Sequence, residues 1–170
     1  MTGPWATTPL DPSTAIDYSK VPDPTAPPEW LLLAVRSVED GRYLLVRRPG
    51  STAFTMLSTA PPHRSEGFAA GLASLVRTHL GVSVRGEPRL STVQRPVHTM
   101  HPYTGGQSTG YLRAVALEVA GEPKADALYQ GLVALPLPEA VQALATDLER
   151  LLLCDGAALL GDDLKAEDAP

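Results

Sequence analysis

A single cysteine, Cys154, is the only thiol in this chain of 170 residues, so no intramolecular disulfide forms and no cysteine-pair metal motif is available. Cys154 lies in the apolar run Leu151-Leu-Leu-Cys and reads as a small buried hydrophobe, not as a reactive thiol. Long apolar runs are also missing: none approaches the roughly 20 residues that a membrane span requires, and no signal-peptide pattern is read. The expectation is no membrane role and a cytoplasmic setting. Positive charge is scarce as well. With 14 Lys and Arg against 19 Asp and Glu, the net charge of −5 argues against a general nucleic-acid binder but leaves room for a local basic pocket. No internal repeat is found. The length fits one domain able to bury a core.

What is present divides the chain into three. Residues 1–28 hold seven of the 17 prolines, at positions 4, 9, 12, 22, 24, 27 and 28, among Ser, Thr and Asp. Such an arm sustains neither helix nor central strand, although Trp5, Ile16 and Tyr18 give it apolar surface for docking. Residues 29–160 carry the domain. Residues 161–170, rich in Asp and Glu, read as a frayed acidic tail.

Within the domain, Trp30 to Ser37 and Arg42 to Arg48 are strand-like runs separated by Val38-Glu39-Asp40-Gly41, where Asp-Gly is a hairpin signal. Ser65 to Val82 reads as a helix. Ser65 is its expected N-cap and Glu66 stands at the positive end of the dipole. Phe68, Leu72, Leu75, Val76 and Leu80 form a buried face, and Gly81 supplies the stop. A strand is expected at Ser91 to Arg95, a loop at Pro96 to Gly110 and a strand at Tyr111 to Val119. An acidic connection follows at Ala120 to Ala127, then a strand at Gly131 to Leu135. One helix is expected from Pro138 to about Leu153, with a short one from Asp155 to Leu160. The sum is an α/β/α sandwich with a mixed β-sheet.

The helix and its flanks resemble the box of the Nudix hydrolases: Gly, five residues, Glu, seven residues, then Arg-Glu-apolar-any-Glu-Glu-any-Gly-apolar. With Gly81 on the final glycine, Val82 and Val76 take the apolar positions and Glu66 the first glutamate. Ala60 replaces the first glycine, Ser74 the arginine, Leu75 the first helix glutamate, and Thr78 and His79 the Glu-Glu pair. Leu57-Ser58-Thr59-Ala60 likewise stands where the family has an apolar-Pro-Gly-Gly segment. The resemblance covers roughly Glu29 to Leu160 and implies a Nudix-type fold. The loop His101 to Gly110, the strand after it and the segment Ala143 to Leu160 are similar to the ADP-ribose pyrophosphatase subgroup. That similarity implies a homodimer in which the arm crosses to a second subunit. A flexible arm and one packed in cis remain alternatives.

In the family the box carboxylates hold magnesium against a diphosphate. Magnesium requires hard oxygen ligands, and each unit charge ~4 Å away contributes roughly 4 kcal/mol at an effective dielectric near 20, about double for a divalent ion, before desolvation. Leu75 offers no ligand and Thr78 only a neutral hydroxyl. The expectation is therefore a decayed box, no confident metal site, and binding of a nucleotide-linked small molecule or a partner. The alternative is an active hydrolase of nucleoside diphosphate derivatives that uses Mg or Mn through non-standard ligands. A third reading is a structural dimer or interaction module.

The candidate residues follow from these readings. Glu66 is the remaining box carboxylate, or simply a helix-dipole acid. Arg47, Arg48 and Arg64 are candidates for phosphate binding, with strand alternation allowing only one of Arg47 and Arg48 to point inward. Tyr103 and Tyr111 are candidates for stacking on a base or ribose. Glu118, Glu122 and Asp126 are candidates for a replacement acid, as the resembled enzymes recruit a glutamate from outside the box. His63, His79, His98 and His101 read as solvated histidines, not as a transition-metal site.

Overall fold

The computed structural model describes residues 29–60, 67–100, 105–126 and 128–164. The 1–28 arm, Glu66, Arg64, Tyr103, His63 and His101 lie outside the described residues. The order of elements is β1 (Glu29–Ser37), β2 (Tyr43–Arg47), β3 (Leu57–Thr59), α1 (Phe68–Leu80), β4 (Ser83–Leu90), β5 (Arg95–Met100), β6 (Gln107–Ala120), β7 (Gly131–Leu135), α2 (Leu137–Ala143) and α3 (Asp147–Leu159).

These seven strands form one mixed sheet along the path β4-β6-β1-β2-β7, with β3 added to β1 and β5 to β6. β1 runs parallel to β6 over its whole length, Glu29 opposite Tyr111 through Ser37 opposite Val119. Every other pairing is antiparallel. The expected hairpin is present, with Arg36 opposite Tyr43.

β1 and β6 are central, so both their faces are covered and their sequences are nearly continuous apolar runs. One face carries Leu31, Leu33 and Val35 of β1 with Val115, Leu117 and Val119 of β6, packed against Leu72, Val76 and Leu80 of α1. The other carries Leu32, Ala34 and Ala114, packed against Val141 of α2 and Leu152, Leu153 and Ala157 of α3. The result is the expected α/β/α sandwich.

Three expectations are corrected. α1 begins at Phe68, and its N-cap is Gly67 without a side-chain cap, not Ser65. Gly67 adopts φ 78°, a conformation that glycine takes without strain, so the chain turns into the helix there and no acid lies in the first turn. The single helix from Pro138 is two: α2 ends at Ala143, and Thr146 starts α3 by accepting a hydrogen bond from the Glu149 amide at 3.2 Å. α3 then runs without a break through Asp155, whose carboxylate receives two hydrogen bonds of 2.7 Å from Arg95. Finally, β4 and β5 occupy 83–90 and 95–100, where a strand was expected only at Ser91 to Arg95 and a loop from Pro96.

The segment after α3 also differs from a frayed tail at its start. Asp162 accepts hydrogen bonds from Arg36 at 2.7 Å and from the Tyr43 hydroxyl at 2.8 Å. Leu164 packs on the α2/α3 cluster. Cys154 is half-buried on that same cluster; burial, and next the charge of Asp155, push its thiol up, which keeps it protonated and unreactive. No helix among the described residues is long and apolar enough to cross a membrane.

Candidate functional site

The site is built on the C-terminal half of α1, at the positions matching the box glutamates. Gly81 ends the helix in the left-handed conformation, φ 69°, and its amide donates to the Arg77 carbonyl. The last carbonyls of a helix lack partners within it. Here the connection between β6 and β7 supplies them: the Lys124 amide donates to Leu80 O at 2.8 Å and the Asp126 amide to His79 O at 3.1 Å. That backbone contact brings two side chains together from 47 residues apart. His79 Nδ1 stands 2.7 Å from Asp126 Oδ2. With a carboxylate as acceptor, Nδ1 carries the proton and Nε2 is the nitrogen left for other partners.

Tyr129 lies edge-on to the His79 ring, with centroids 5.8 Å apart. Burial pushes its phenol up, and the charge of Arg48 opposes that. Partial burial raises the Asp126 carboxyl, but the hydrogen bonds with His79 and with the Leu128 amide at 3.0 Å outweigh it. The net effect holds the carboxyl below its usual range. A depressed carboxyl stabilises the fold above the unfolded-state value of about 4, and that contribution is lost as pH falls through the folded-state value. The stability difference between wild type and Asp126→Asn, measured by denaturant titration, is therefore full above about pH 5 and closes in stronger acid.

At the other box positions, Leu75 is packed against the α1-face core, while Ser74 and Thr78 are exposed. α1 contains no Asp or Glu. Among the described residues no group of three or more His, Cys, Asp and Glu is placed to hold a metal. The donor set on α1, one imidazole and two hydroxyls, does not fit magnesium, which takes carboxylate and water oxygens.

The remaining candidates are scattered. Leu44 and Val46 of β2 face α1, so Arg47 falls on the opposite face, where its guanidinium lies 5.9 Å over the Phe54 ring. Arg48, just beyond the strand, is exposed. Glu118 is paired with Arg36 at 3.1 Å. Glu122 is exposed on the connection, and only Asp126 of the three candidate acids reaches α1. Tyr111 is half-buried on β6. His98 is exposed on β5, its Nδ1 3.1 Å from Thr109 Oγ1.

One residue with no assigned role in the sequence reading stands out in the structure. Arg113, on β6, is 2 % exposed, in a strand whose neighbours Ala114, Val115, Ala116 and Leu117 are all buried apolar residues. The signal was there: an arginine on the inward phase of a strand that is otherwise continuously apolar.

No family model matches the sequence, and no curated protein is similar to it in sequence. The fold, however, is shared with solved structures. An assigned NUDIX hydrolase from Listeria monocytogenes superposes with a TM-score of 0.56 at 13% identity, covering 82% of this chain and 99% of that one. The dihydroneopterin triphosphate pyrophosphohydrolase of E. coli gives 0.52 at 13% identity, covering 74% and 92%. A C. elegans Ap4A hydrolase gives 0.52 at 10% identity, covering 79% and 98%. The sheet, the box-type helix on one face and the paired helices on the other thus give this chain the fold of the Nudix hydrolases.

Proposed function

We propose that this chain binds a nucleoside-diphosphate-linked metabolite on the α1 face and carries out little or no magnesium-dependent hydrolysis. The observation that carries this reading is the seating of Leu75 on the core at the position of a box glutamate, in a helix without a single carboxylate. An aliphatic side chain there adds to the fold and removes a cation ligand at the same time. The ligand class is drawn from the fold neighbours, two of which are named for a triphosphate pyrophosphohydrolase and an Ap4A hydrolase.

The His79–Asp126 pair favours a second reading, a hydrolase working through loop acids. A histidine oriented by a carboxylate is a general base able to take a proton from water as its oxygen attacks phosphorus and the anhydride oxygen departs. One assay separates the two. The purified chain is incubated with ADP-ribose and a panel of nucleoside diphosphate derivatives, with magnesium and then manganese, while thermal unfolding is followed in parallel. The binding reading expects a ligand-dependent rise in the unfolding temperature without turnover. Turnover lost in His79→Gln and Asp126→Asn favours the second reading. Silence in both measurements contradicts both readings and leaves the interaction module.

A further inference from the structure

The geometry points to Arg113 as the receptor for an oxyanion of the bound ligand, its diphosphate, which enters beside Glu29 and takes over the place that the Glu29 carboxylate now holds. The inference rests on the nucleotide-linked reading above and adds a residue to it. On β6, Val115, Leu117 and Val119 face α1, so alternation sets Arg113 on the same face. The register places it in a row, with Leu31 of β1 opposite Arg113 and Thr59 of β3 opposite Leu31. Thr59 is the last residue of β3 before the chain heads for α1, so Arg113 lies at the end of the sheet where that connection begins.

The guanidinium is buried, yet neither Nε nor Nη1 has a hydrogen-bond partner among the described residues. Its ion-pair partner, Glu29 Oε1, is 3.7 Å from Nε, beyond hydrogen-bond reach. The other Glu29 oxygen accepts from Gln94 Nε2 at 3.3 Å. Burying a cation is costly unless its donors are used, and an apolar side chain of similar volume would serve packing equally well or better. As a structural element, then, Arg113 is poorly explained. As a receptor it fits: its planar fork matches two phosphate oxygens, and the N–H groups of two of its nitrogens, Nε and Nη1, are unused among the described residues. Glu29 offsets part of the charge without occupying the donors, and its side chain is 24% exposed where that of Arg113 is 2% exposed. A phosphate arriving there displaces a carboxylate that makes no hydrogen bond to Arg113.

The two sides of the pair therefore respond with opposite sign. Isothermal titration of the full chain with inorganic pyrophosphate, at constant ionic strength, is expected to show saturable binding. Arg113→Lys weakens it about tenfold because a point charge replaces a fork, and Arg113→Met abolishes it. Glu29→Gln tightens it several-fold by removing the competing anion. In wild-type protein labelled with 15N, the Arg113 Nε resonance, assigned by its absence from Arg113→Lys, shifts on addition of pyrophosphate. This readout holds even where Arg113→Met does not fold. Unchanged affinity in a folded Arg113→Met, weaker binding in Glu29→Gln, or a resonance that stays in place overturns the inference. If ADP-ribose still stabilises Arg113→Met as it does the wild type, the inference fails and the binding reading stands. If ADP-ribose fails to stabilise the wild type while pyrophosphate moves the Arg113 resonance, the anion site stands and the nucleotide-linked reading fails.

Discussion

Gly156→Val yields no folded protein, whereas Gly156→Ala folds with its stability lowered by about 1–3 kcal/mol. Gly156 lies in the last turn of α3, where α3 packs on the sheet. A Cβ built there would stand far inside van der Waals contact of Ala34 Cβ on β1 and 3.7 Å from Ala114 Cβ on β6. Both of those atoms belong to central strands and are fixed by their backbones, so neither can rotate aside. Alanine in place of glycine gains about 1 kcal/mol of helix propensity, which offsets only part of the overlap. Valine adds two further methyl groups at the same point. Adding Ala34→Gly to Gly156→Ala removes the opposing methyl and recovers most of the loss, so the two changes are non-additive in a double-mutant cycle measured by denaturant titration.

Leu72→Ala is the second large effect, a loss of about 2–5 kcal/mol, which at about 2–4 °C per kcal/mol for a domain of this size lowers the melting temperature by roughly 4–20 °C. Leu72 is fully buried at the centre of the α1 face, in the cluster that holds Leu31, Val115 and Val76. Truncation there leaves a cavity between α1 and the two strands least able to move. Leu75→Glu is smaller, because Leu75 is only partly buried, but it still lowers stability. It acts as a core position, whereas the matching box position of the resembled family carries a ligand.

The parts of the fold that were legible in the sequence are those whose burial is one-sided or complete. β1 and β2 announced themselves by apolar runs around Asp-Gly, and α1 by its repeat of Leu72, Val76 and Leu80. β4 and β5 did not, because each bonds to β6 alone among the strands. As edge strands they tolerate Pro88 and Pro96, and β4 carries mainly exposed residues, which erases the apolar signal. The break between α2 and α3 was readable after all. Thr146-Asp-Leu-Glu149 is a Thr-x-x-Glu start signal, and Thr146 indeed accepts from the Glu149 amide.

The site was half legible. The absence of carboxylates from α1 is a property of the sequence. The meeting of His79 with Asp126 is created by backbone hydrogen bonds from the β6–β7 connection to the end of α1, which no local pattern encodes. Arg113 required knowing which phase of β6 faces α1.

The account depends most on α1 being unable to seat a divalent cation. Calorimetric titration of the full chain with Mg2+ tests this directly. The expected result is no saturable site, since one imidazole and two hydroxyls do not replace the oxygens of a carboxylate cluster. A stoichiometric site that disappears in Glu66→Gln contradicts it.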